Sequence, residues 1–378
     1  MADVHGRFDD RFAGVRDALA ATLDSGADVG ASVAVVLNGE MVVDIWGGHA
    51  DEAHSTPWQE NTITNVWSTT KTMTFLCALI LADRGELDLY GKVASYWPEF
   101  AANGKAGIEV RHLLSHTSGL SGWQEPMTMD DLCDWDKCTS LLAAQAPWWE
   151  PGTASGYHAF TQGYLIGEVV RRITGQSIGT FFAKEIAGPL NADFHIGLDP
   201  SQFHRVANVV PPVAALGGEM DPTSVVFRTF SNPPPAAEAS WTSAWRQAEI
   251  PAAGGHGNAR SVATIQAIIA NGGEMGGQRF LSEKGCAVIF DEQSAGVDLV
   301  LGIPIHFGMG YGLNSADTPL SPNARTCFWG GWGGSLAIID TEAHLAIAYM
   351  MNRMGEGTVG DERGASFIGA TYAALAAG

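Results

Sequence analysis

Apolar and polar residues follow two different patterns along the chain, and each pattern predicts a different kind of element. From Ala31 the apolar run A-S-V-A-V-V-L is followed by Asn38-Gly39 and then by E-M-V-V-D-I-W. Two β-rich segments around Asn-Gly predict two antiparallel strands joined by a tight hairpin turn. Over residues 61–85 the apolar residues recur at helical spacing instead, which predicts a largely buried helix with Gly85 as its C-terminal cap.

The rest of the chain divides into β-rich ends and a helical middle. Helical patterns lie at residues 163–173, 178–186, 262–270 and 366–376, and β-rich stretches lie at residues 307–313, 336–339 and 345–351. Strands at both ends predict an α+β fold in which residues 1–75 and 225–378 build an antiparallel sheet flanked by helices. Residues 76–224 would form an inserted, mainly helical lobe, and the active site would lie in the cleft between the two parts.

The stretch at residues 211–257 has neither pattern. It is rich in proline and glycine, with three consecutive prolines at residues 233–235. Such composition predicts long surface loops, and their length suggests a lid over part of the molecule.

The length and net charge of the chain indicate which classes of binding partner it can have. The 378 residues exceed one small domain and can bury a large core without disulfides or metal. The 41 acidic residues outnumber the 21 basic ones, and the net charge of −20 would repel nucleic acids and anionic lipid headgroups. No apolar stretch approaches the roughly 20 residues of a membrane-spanning helix. We therefore expect no nucleic acid or membrane partner, and the absence of a secretory signal pattern predicts a cytoplasmic location.

The cysteines and histidines do not form a metal-binding pattern. Five cysteines are scattered along the chain, and the single C-x4-C pair lacks the second pair that a zinc site needs. This predicts reduced, mostly buried thiols. His112 and His116 stand four residues apart, but the glutamate of an H-E-x-x-H motif is missing, so no metal site is predicted.

One string has the form G-x-S-x-G, which carries the nucleophile in many esterases, and it lies at residues 175–179. That motif needs a strand before the serine and a helix after it. Here the preceding residues have a helical pattern. Gly175 is therefore better explained as the C-cap of that helix and Ser177 as the N-cap of the next one.

A second candidate nucleophile, Ser68, stands three residues before Lys71 in the string S-T-T-K at the start of the buried helix. Side chains at i and i+3 lie on one helical face, so the lysine amine can approach the serine hydroxyl. To accept a proton near neutral pH, Lys71 needs a pKa lowered from about 10.4 toward about 7 to 8, which burial provides. Taken alone, Ser68 would be better explained as a helix N-cap.

Two later segments favour the catalytic interpretation. Tyr157 lies on a turn just before an amphipathic helix, where its phenol could relay protons. The glycine-rich string at residues 330–335 opens the strand predicted at residues 336–339, and its glycines allow the backbone to approach a ligand closely. Taken separately, each segment would be explained as a structural turn.

In this order, S-T-T-K, then Tyr157-His158-Ala159, then Trp332-Gly333-Gly334 resembles the three-motif series of serine β-lactamases and penicillin-binding proteins. The branch that it most resembles comprises class C β-lactamases and family VIII carboxylesterases. The resemblance implies a β-lactamase-like sandwich with a helical lobe and no metal or organic cofactor. It also implies that Ser68 is the nucleophile and that Lys71 and Tyr157 are its proton-transfer partners.

The resemblance extends over most of the chain, because residues 110–120 and 270–274 also resemble framework segments of that family. Carried over residue by residue, it implies an oxyanion hole made of the backbone N–H groups of Ser68 and Ser335. Ser335 is the residue that follows Trp332-Gly333-Gly334. Loss of one such donor typically lowers the rate by about 10² to 10³.

Two departures from the family pattern argue against antibiotic hydrolysis. This chain has a tryptophan where the K-T-G motif of β-lactamases has lysine, which removes the natural partner of a substrate carboxylate. Ala159 stands where class C β-lactamases usually have asparagine. The nearby tryptophans suit uncharged acyl or aryl groups. The residues that we expect to contact substrate are Trp332, Gly333, Gly334, His158 and Trp123.

The sequence therefore predicts a serine carboxylesterase that hydrolyses short, uncharged acyl esters through an acyl-enzyme on Ser68, with a small-molecule ester as its partner. One alternative is hydrolysis or acyl transfer on amides, including β-lactams and D-amino-acid peptides. A less favoured alternative is a non-catalytic relative that keeps the fold. Whether Lys71 or Tyr157 is the base stays open at this point, since a coupled pair titrates as a unit. The sequence assigns no oligomeric state.

Overall fold

The structure is a computed structural model that describes residues 2–213 and 221–377. Its strands are β1 (Val4–Phe8), β2 (Gly30–Leu37), β3 (Glu40–Gly48), β4 (Ile63–Asn65), β5 (Phe194–His195), β6 (Val206–Ala207), β7 (His256–Gly257), β8 (Glu274–Met275), β9 (Gln278–Arg279), β10 (Ser294–Val297), β11 (Pro304–Phe307), β12 (Gly312–Leu313), β13 (Thr326–Gly330), β14 (Leu336–Asp340) and β15 (Leu345–Met351). Its α-helices are α1 (Ala13–Asp24), α2 (Lys71–Asp83), α3 (Val110–Leu114), α4 (Trp135–Ala144), α5 (Thr161–Thr174), α6 (Ile178–Phe182), α7 (Val225–Phe230), α8 (Ser243–Gln247), α9 (Ala259–Ala270), α10 (Glu283–Ala287) and α11 (Glu362–Ala376).

The predicted hairpin at Asn38-Gly39 joins β2 and β3. Both turn residues have positive φ, +51° for Asn38 and +80° for Gly39. A two-residue turn of this kind needs positive φ at both positions, and asparagine and glycine adopt it most readily. β2 is buried along its whole length, which makes it a central strand of the sheet.

Nine strands form one antiparallel sheet in the order β1-β3-β2-β15-β14-β13-β12-β11-β10. The N-terminal strand β2 therefore pairs with the C-terminal strand β15, which confirms the prediction of a sheet built from both ends of the chain. Tyr349 of β15 packs against Phe367 of α11. Ser32 of β2, which pairs with the next residue of β15, accepts a hydrogen bond from the Ala259 amide of α9 at 3.2 Å. Since successive strand residues point to opposite faces, α11 and α9 flank the sheet on its two sides.

The helix predicted over residues 61–85 is α2, which is preceded by a 3-10 turn at Trp67–Thr70. Residues 71–81 are all buried, because α5 and α6 of the helical lobe and α10 pack against α2. Gly85, with φ of +76°, ends the helix as predicted. Strand β13 packs against the 3-10 turn, so the N-terminus of α2 is held between the sheet and the lobe.

Two stretches differ from their predictions. The stretch predicted as one strand at residues 307–313 is the end of β11, a turn with Gly310 at φ of +100°, and β12. The irregular stretch predicted at residues 211–257 falls partly on residues 214–220, which lie outside the described residues. From residue 221 onward it contains the short helices α7 and α8, where the prediction had loops.

None of the helices in the described part of the chain combines the length and the apolar character that a bilayer crossing requires.

All five cysteines are free and four of them are buried, as the sequence predicts. The limits of the two parts at 1–75, 76–224 and 225–378 stay a prediction, and α2 runs across the first of them.

Candidate active site

Ser68 lies in the 3-10 turn that leads into α2, and only 8% of the residue is exposed, toward a cavity. Trp67 before it has φ of +48°, a conformation that a bulky residue adopts only when its surroundings enforce it. The Trp67 ring packs against Trp245 and Trp332, with centroids 5.5 Å and 4.9 Å apart. This packing holds the backbone in the conformation that presents Ser68 to the cavity.

Lys71 lies one helical turn after Ser68 and on the same face, and its Nζ is 3.1 Å from Ser68 Oγ. Nζ also donates hydrogen bonds to the carbonyls of Ala159 at 2.7 Å and Ala252 at 2.9 Å. Complete burial holds the pKa of Lys71 well below its ordinary value. A neutral amine has two N–H groups, which match the two carbonyls, and one lone pair, which is left to face the Ser68 hydroxyl.

Tyr157 lies in the loop before α5, and its Oη donates a hydrogen bond to Ser68 Oγ. Burial raises the pKa of the Tyr157 phenol above its ordinary value, so the group stays protonated near neutral pH. Asp298 holds this loop in place, because its Oδ1 accepts hydrogen bonds from the amide of Tyr157 at 3.0 Å and from the amides of Val300 and Leu301 at 2.9 Å. Tyr157 is thus a neutral phenol directed at Ser68 Oγ.

The glycine-rich third element contains two W-G-G triplets in tandem, and the first one, Trp329 to Gly331, lies beside the serine. The Trp329 ring, at the end of β13, is 5.5 Å from the Tyr157 ring. A side chain added to Gly331 would come within 3.2 Å of the Ser68 amide. The backbone therefore passes directly beside Ser68 at Gly331. The next amide, that of Trp332, makes no hydrogen bond with any residue in the described part of the chain.

The second triplet turns away from the serine after its first residue. Trp332 lines the cavity beside Ser68. Gly333, Gly334 and Ser335 belong to the turn between β13 and β14 and do not line the cavity. The Ser335 hydroxyl is buried and donates a hydrogen bond to the Val66 carbonyl at 2.8 Å, so this residue supports the backbone before Ser68. Gly333 and Gly334, predicted to contact substrate, and Ser335, predicted as an oxyanion donor, therefore lie outside the wall of this cavity.

His158 and Trp123, both predicted to bind substrate, do not reach the cavity either. His158 is fully buried beside Ser118 Oγ at 2.7 Å and the Gly156 carbonyl at 2.6 Å, and burial lowers the pKa of its imidazole to about 3. Trp123 is buried in the helical lobe, where its Nε1 donates to the Cys138 carbonyl at 3.1 Å. Both side chains stabilise the lobe. Proximity to a motif in sequence does not determine on which side of a loop a side chain lies.

The G-x-S-x-G string has the structural role that the sequence predicts. Gly175 is the C-cap of α5 in the left-handed conformation, with φ of +69°. Ser177 is the N-cap of α6, and its side chain accepts a hydrogen bond from the Thr180 amide. Ser177 is therefore not presented as an elbow between a strand and a helix.

A cavity of about 30 Å³ opens beside Ser68. The residues that line it are Trp67, Ser68, Tyr157, Ala159, Phe160, Phe230, Pro235, Ala253, Trp332 and Thr358. None of these residues, which all belong to the described part of the chain, carries a charged side chain. Phe230, Pro235 and Thr358 are partly exposed and form the rim, whereas the other lining residues are buried.

Three residues near the site were missed by sequence reasoning. The tandem W-G-G triplets contained a signal for Trp329, since either triplet could be the one beside Ser68. Asp298 and Phe230 belong to no motif, and each is more than 100 residues from Ser68 along the chain. No local pattern could have placed these two residues near the serine.

The described residues hold no group of three or more His, Cys, Asp or Glu side chains that could bind a metal ion. The two histidines that stand four residues apart have separate structural hydrogen bonds. Nδ1 of His112 accepts from the Glu109 amide at 3.1 Å, and Nδ1 of His116 accepts from the His158 amide at 3.0 Å.

Comparison with known proteins assigns the chain to a family. A family profile described as Beta-lactamase matches residues 15–368. The chain belongs to the beta-lactamase family. This family member is 36% identical over 363 residues to the esterase/beta-lactamase LipL of Mycobacterium tuberculosis, and the match covers 93% of this chain and 83% of LipL. It is a serine hydrolase of that family.

Solved structures share the fold of this beta-lactamase family member over nearly its whole length. The crystal structure of a family VIII carboxylesterase has a TM-score of 0.93 at 42% identity and covers 99% of this chain and 100% of its own. A penicillin-binding protein homologue from Caulobacter crescentus has a TM-score of 0.93 at 37% identity, again covering 99% and 100%. The α+β, β-lactamase-like fold expected from the sequence is confirmed.

Proposed function

We propose that this protein is a serine carboxylesterase that hydrolyses short, uncharged acyl esters through an acyl-enzyme on Ser68. The observation that carries the proposal is the hydrogen-bonded group of Ser68, Lys71 and Tyr157 at an uncharged, largely apolar cavity. The description of LipL as an esterase/beta-lactamase, and that of a structural neighbour as a family VIII carboxylesterase, support the reaction class.

The hydrogen bonds around Ser68 favour Lys71 as the base. Because Tyr157 donates to Ser68 Oγ, the Ser68 proton is free to point to the lone pair of the neutral Lys71 amine. Ser68 Oγ attacks the ester carbonyl carbon as its proton moves to Lys71 Nζ. Tyr157 protonates the departing alcohol oxygen and regains a proton from Lys71. Water then attacks the acyl-enzyme by the reverse route, which releases the carboxylic acid and restores Ser68.

Two backbone amides are suited to hold the oxyanion. The amide of Ser68 and that of Trp332 flank the point where Gly331 passes the nucleophile, and the Trp332 amide has no hydrogen-bond partner among the described residues. Backbone N–H groups that are fixed before the reaction stabilise the developing negative charge without reorganisation. We assign the second donor to Trp332, which lines the cavity, instead of Ser335, which does not.

The charge distribution favours esters without a carboxylate. Arg363, close to the turn that carries Trp332, pairs with Asp28 at 2.8 Å and also with Asp361. Its positive charge is therefore already neutralised. Because none of the described residues that line the cavity is a cation, a substrate carboxylate would lose its hydration there without gaining a partner. This argues for neutral esters over β-lactams and peptide C-termini.

The proposal is tested with p-nitrophenyl butyrate and intact-mass spectrometry. We expect ester turnover, and a phosphonate serine probe should add one label, which peptide mapping assigns to Ser68. Ser68→Ala should abolish both turnover and labelling while circular dichroism stays that of the wild type. Ser177→Ala is the matched control and should keep both. Turnover by a folded Ser68→Ala variant, or faster acylation by benzylpenicillin than by the ester, would contradict the proposal.

A further inference from the structure

We infer that Phe230 sets the upper size limit of the acyl group and that Asn232 holds Phe230 in that position. Both residues belong to what we call the roof segment, which comprises α7 and residues 231–235. The inference rests on the proposed esterase function and adds the feature that determines which esters fit.

The cavity beside Ser68 is far smaller than an ordinary ligand pocket. Its volume is about 30 Å³, whereas small-molecule sites usually have roughly 300 to 1,000 Å³. In an acyl-enzyme mechanism the alcohol leaves and the acyl group stays bonded to Ser68 until water arrives. The acyl group is therefore the part of the substrate that the cavity must enclose.

The inner walls of the cavity cannot yield easily, because their residues are buried in the protein core. Trp67, Phe160 and Trp332 are at most 8% exposed. The partly exposed residues at the rim are Phe230, Pro235 and Thr358. Phe230 has the largest side chain of these three, so its ring blocks the most space in the direction of solvent. A longer acyl chain must displace the Phe230 ring or be rejected.

Asn232 fastens the roof segment to the helical lobe. Its Oδ1 accepts a hydrogen bond from the Met127 amide at 2.7 Å. Its Nδ2 donates to the carbonyls of Trp123 at 2.8 Å and of Glu125 at 2.7 Å. One side chain thus makes three hydrogen bonds to the backbone of one lobe segment, only two residues after Phe230.

Two further contacts hold the same segment. Thr229 Oγ1 is 2.7 Å from Ser121 Oγ, and the Arg228 guanidinium lies 3.9 Å from the centre of the Trp148 ring. A side chain added to Gly122 would come within 3.3 Å of the Arg228 carbonyl, so the two backbones are in close contact. The roof segment is therefore fixed relative to the lobe, and the limit that Phe230 imposes is a sharp one.

The test measures kcat/KM for p-nitrophenyl acetate, butyrate, octanoate and dodecanoate, so that the leaving group stays constant. The wild type should favour acetate and butyrate. Phe230→Ala should raise the octanoate-to-acetate ratio by about tenfold or more, the scale of discrimination that hydrophobic pockets show for added methylenes. Phe227→Ala is the matched control, since it removes the same side chain from the same helix at a residue that does not line the cavity.

Asn232→Ala should raise the same ratio through a loosened roof segment, although Asn232 does not touch the cavity. A purely structural role would lower the thermal unfolding midpoint without changing the chain-length ratio. The inference is overturned if Phe230→Ala keeps the wild-type ratio or if Phe227→Ala raises it equally.

Covalent labelling separates this inference from the proposed function. The rates at which ethyl and octyl fluorophosphonates label Ser68 are measured by intact mass in the wild type and in Phe230→Ala. A relative gain for the octyl probe in Phe230→Ala supports the size limit even if no ester is turned over, in which case only the proposed function fails. Equal relative rates in both proteins contradict the size limit, whatever the turnover result.

Discussion

Lys71 illustrates how the surroundings of a single residue change its chemistry. A lysine on the surface is a hydrated cation, whereas Lys71 is fully buried and, among the described residues, has the Ser68 hydroxyl and two carbonyls as its hydrogen-bond partners. Burial disfavours the charged form, which lowers the pKa of the amine and favours its neutral form. Without the Ser68 hydroxyl within hydrogen-bond distance, the buried amine would have no group from which to accept a proton.

At this scale we predict that Lys71→Met lowers kcat/KM for p-nitrophenyl butyrate by about 10²- to 10⁴-fold, the usual contribution of a positioned base. In the wild type, kcat/KM should fall on the acid side as Lys71 becomes protonated, at a pH below the ordinary lysine pKa. A pH profile of both proteins checks this. If residual activity of Lys71→Met shows the same acid limb, another group is the base.

The same pKa shift also predicts the pH dependence of stability. Between the lowered pKa of Lys71 in the folded protein and the ordinary value in the unfolded chain, the unfolded chain binds more protons. The contribution of Lys71 to the free energy of unfolding therefore increases with pH across that window. Urea unfolding at several pH values should show a smaller slope in Lys71→Met than in the wild type. Equal slopes would contradict the lowered pKa.

At the scale of elements, the end of β13 and the turn that follows it place the backbone of Gly331 beside Ser68. Gly331 lies where β13 packs against the 3-10 turn that contains Ser68, and a side chain there would meet the Val66 carbonyl and the Ser335 hydroxyl. In the proposed mechanism, the residue that follows Gly331 supplies the second oxyanion donor, the Trp332 amide. Because Gly331 has no side chain, β13 can lie this close to the N-terminus of α2.

We predict that Gly331→Ala lowers kcat by at least about 10²-fold, because displacing one oxyanion donor has an effect of that size. Gly107→Ala is the control, since a side chain at Gly107 meets no atom within 4 Å. Kinetics with p-nitrophenyl acetate and thermal unfolding of both variants make the comparison. A Gly331→Ala variant with wild-type kcat would mean that the strand and the helix terminus can separate without loss of function.

At the scale of the whole molecule, one arginine connects distant parts of the chain. Arg363 at the start of α11 pairs with Asp28 after α1 at 2.8 Å and donates to the Gly333 carbonyl at 2.5 Å. Asp28 also accepts a hydrogen bond from Tyr349 Oη at 2.6 Å, and it is buried. The N-terminal region, the C-terminal helix and the active-site turn thus share one charged cluster.

Arg363→Met should therefore lower the free energy of unfolding by about 3 to 5 kcal/mol, because it leaves the buried Asp28 carboxylate without its cation. Adding Asp28→Asn should recover part of that loss, since the two residues form one network and their effects are not additive. Urea unfolding of the single and double variants measures both. A double variant as unstable as the sum of the single variants would show that the pair is not coupled.

The sequence by itself determined the features that depend on neighbours along the chain. The Asn38-Gly39 hairpin follows from the backbone conformations that these two residues allow, and the caps at Gly175 and Ser177 follow from the same short-range rules. The approach of Lys71 to Ser68 follows from three-residue spacing on one helix. The third partner, Tyr157, is 89 residues away, and only the order of the motifs and the family resemblance indicated it.

Tertiary structure alone decided which residues face the cavity. The packing of β13 against the 3-10 turn decides which of the two tandem W-G-G triplets lies beside Ser68. The sequence therefore could not distinguish the first triplet, Trp329 to Gly331, from the second, which ends in Gly333 and Gly334. Phe230 is 162 residues from Ser68 and reaches the rim only through contacts of the roof segment with the lobe. Local sterics and hydrogen bonds are specified by a few adjacent residues. The direction of a side chain across a cleft is set by the packing of the whole core, in which each contact depends on many others.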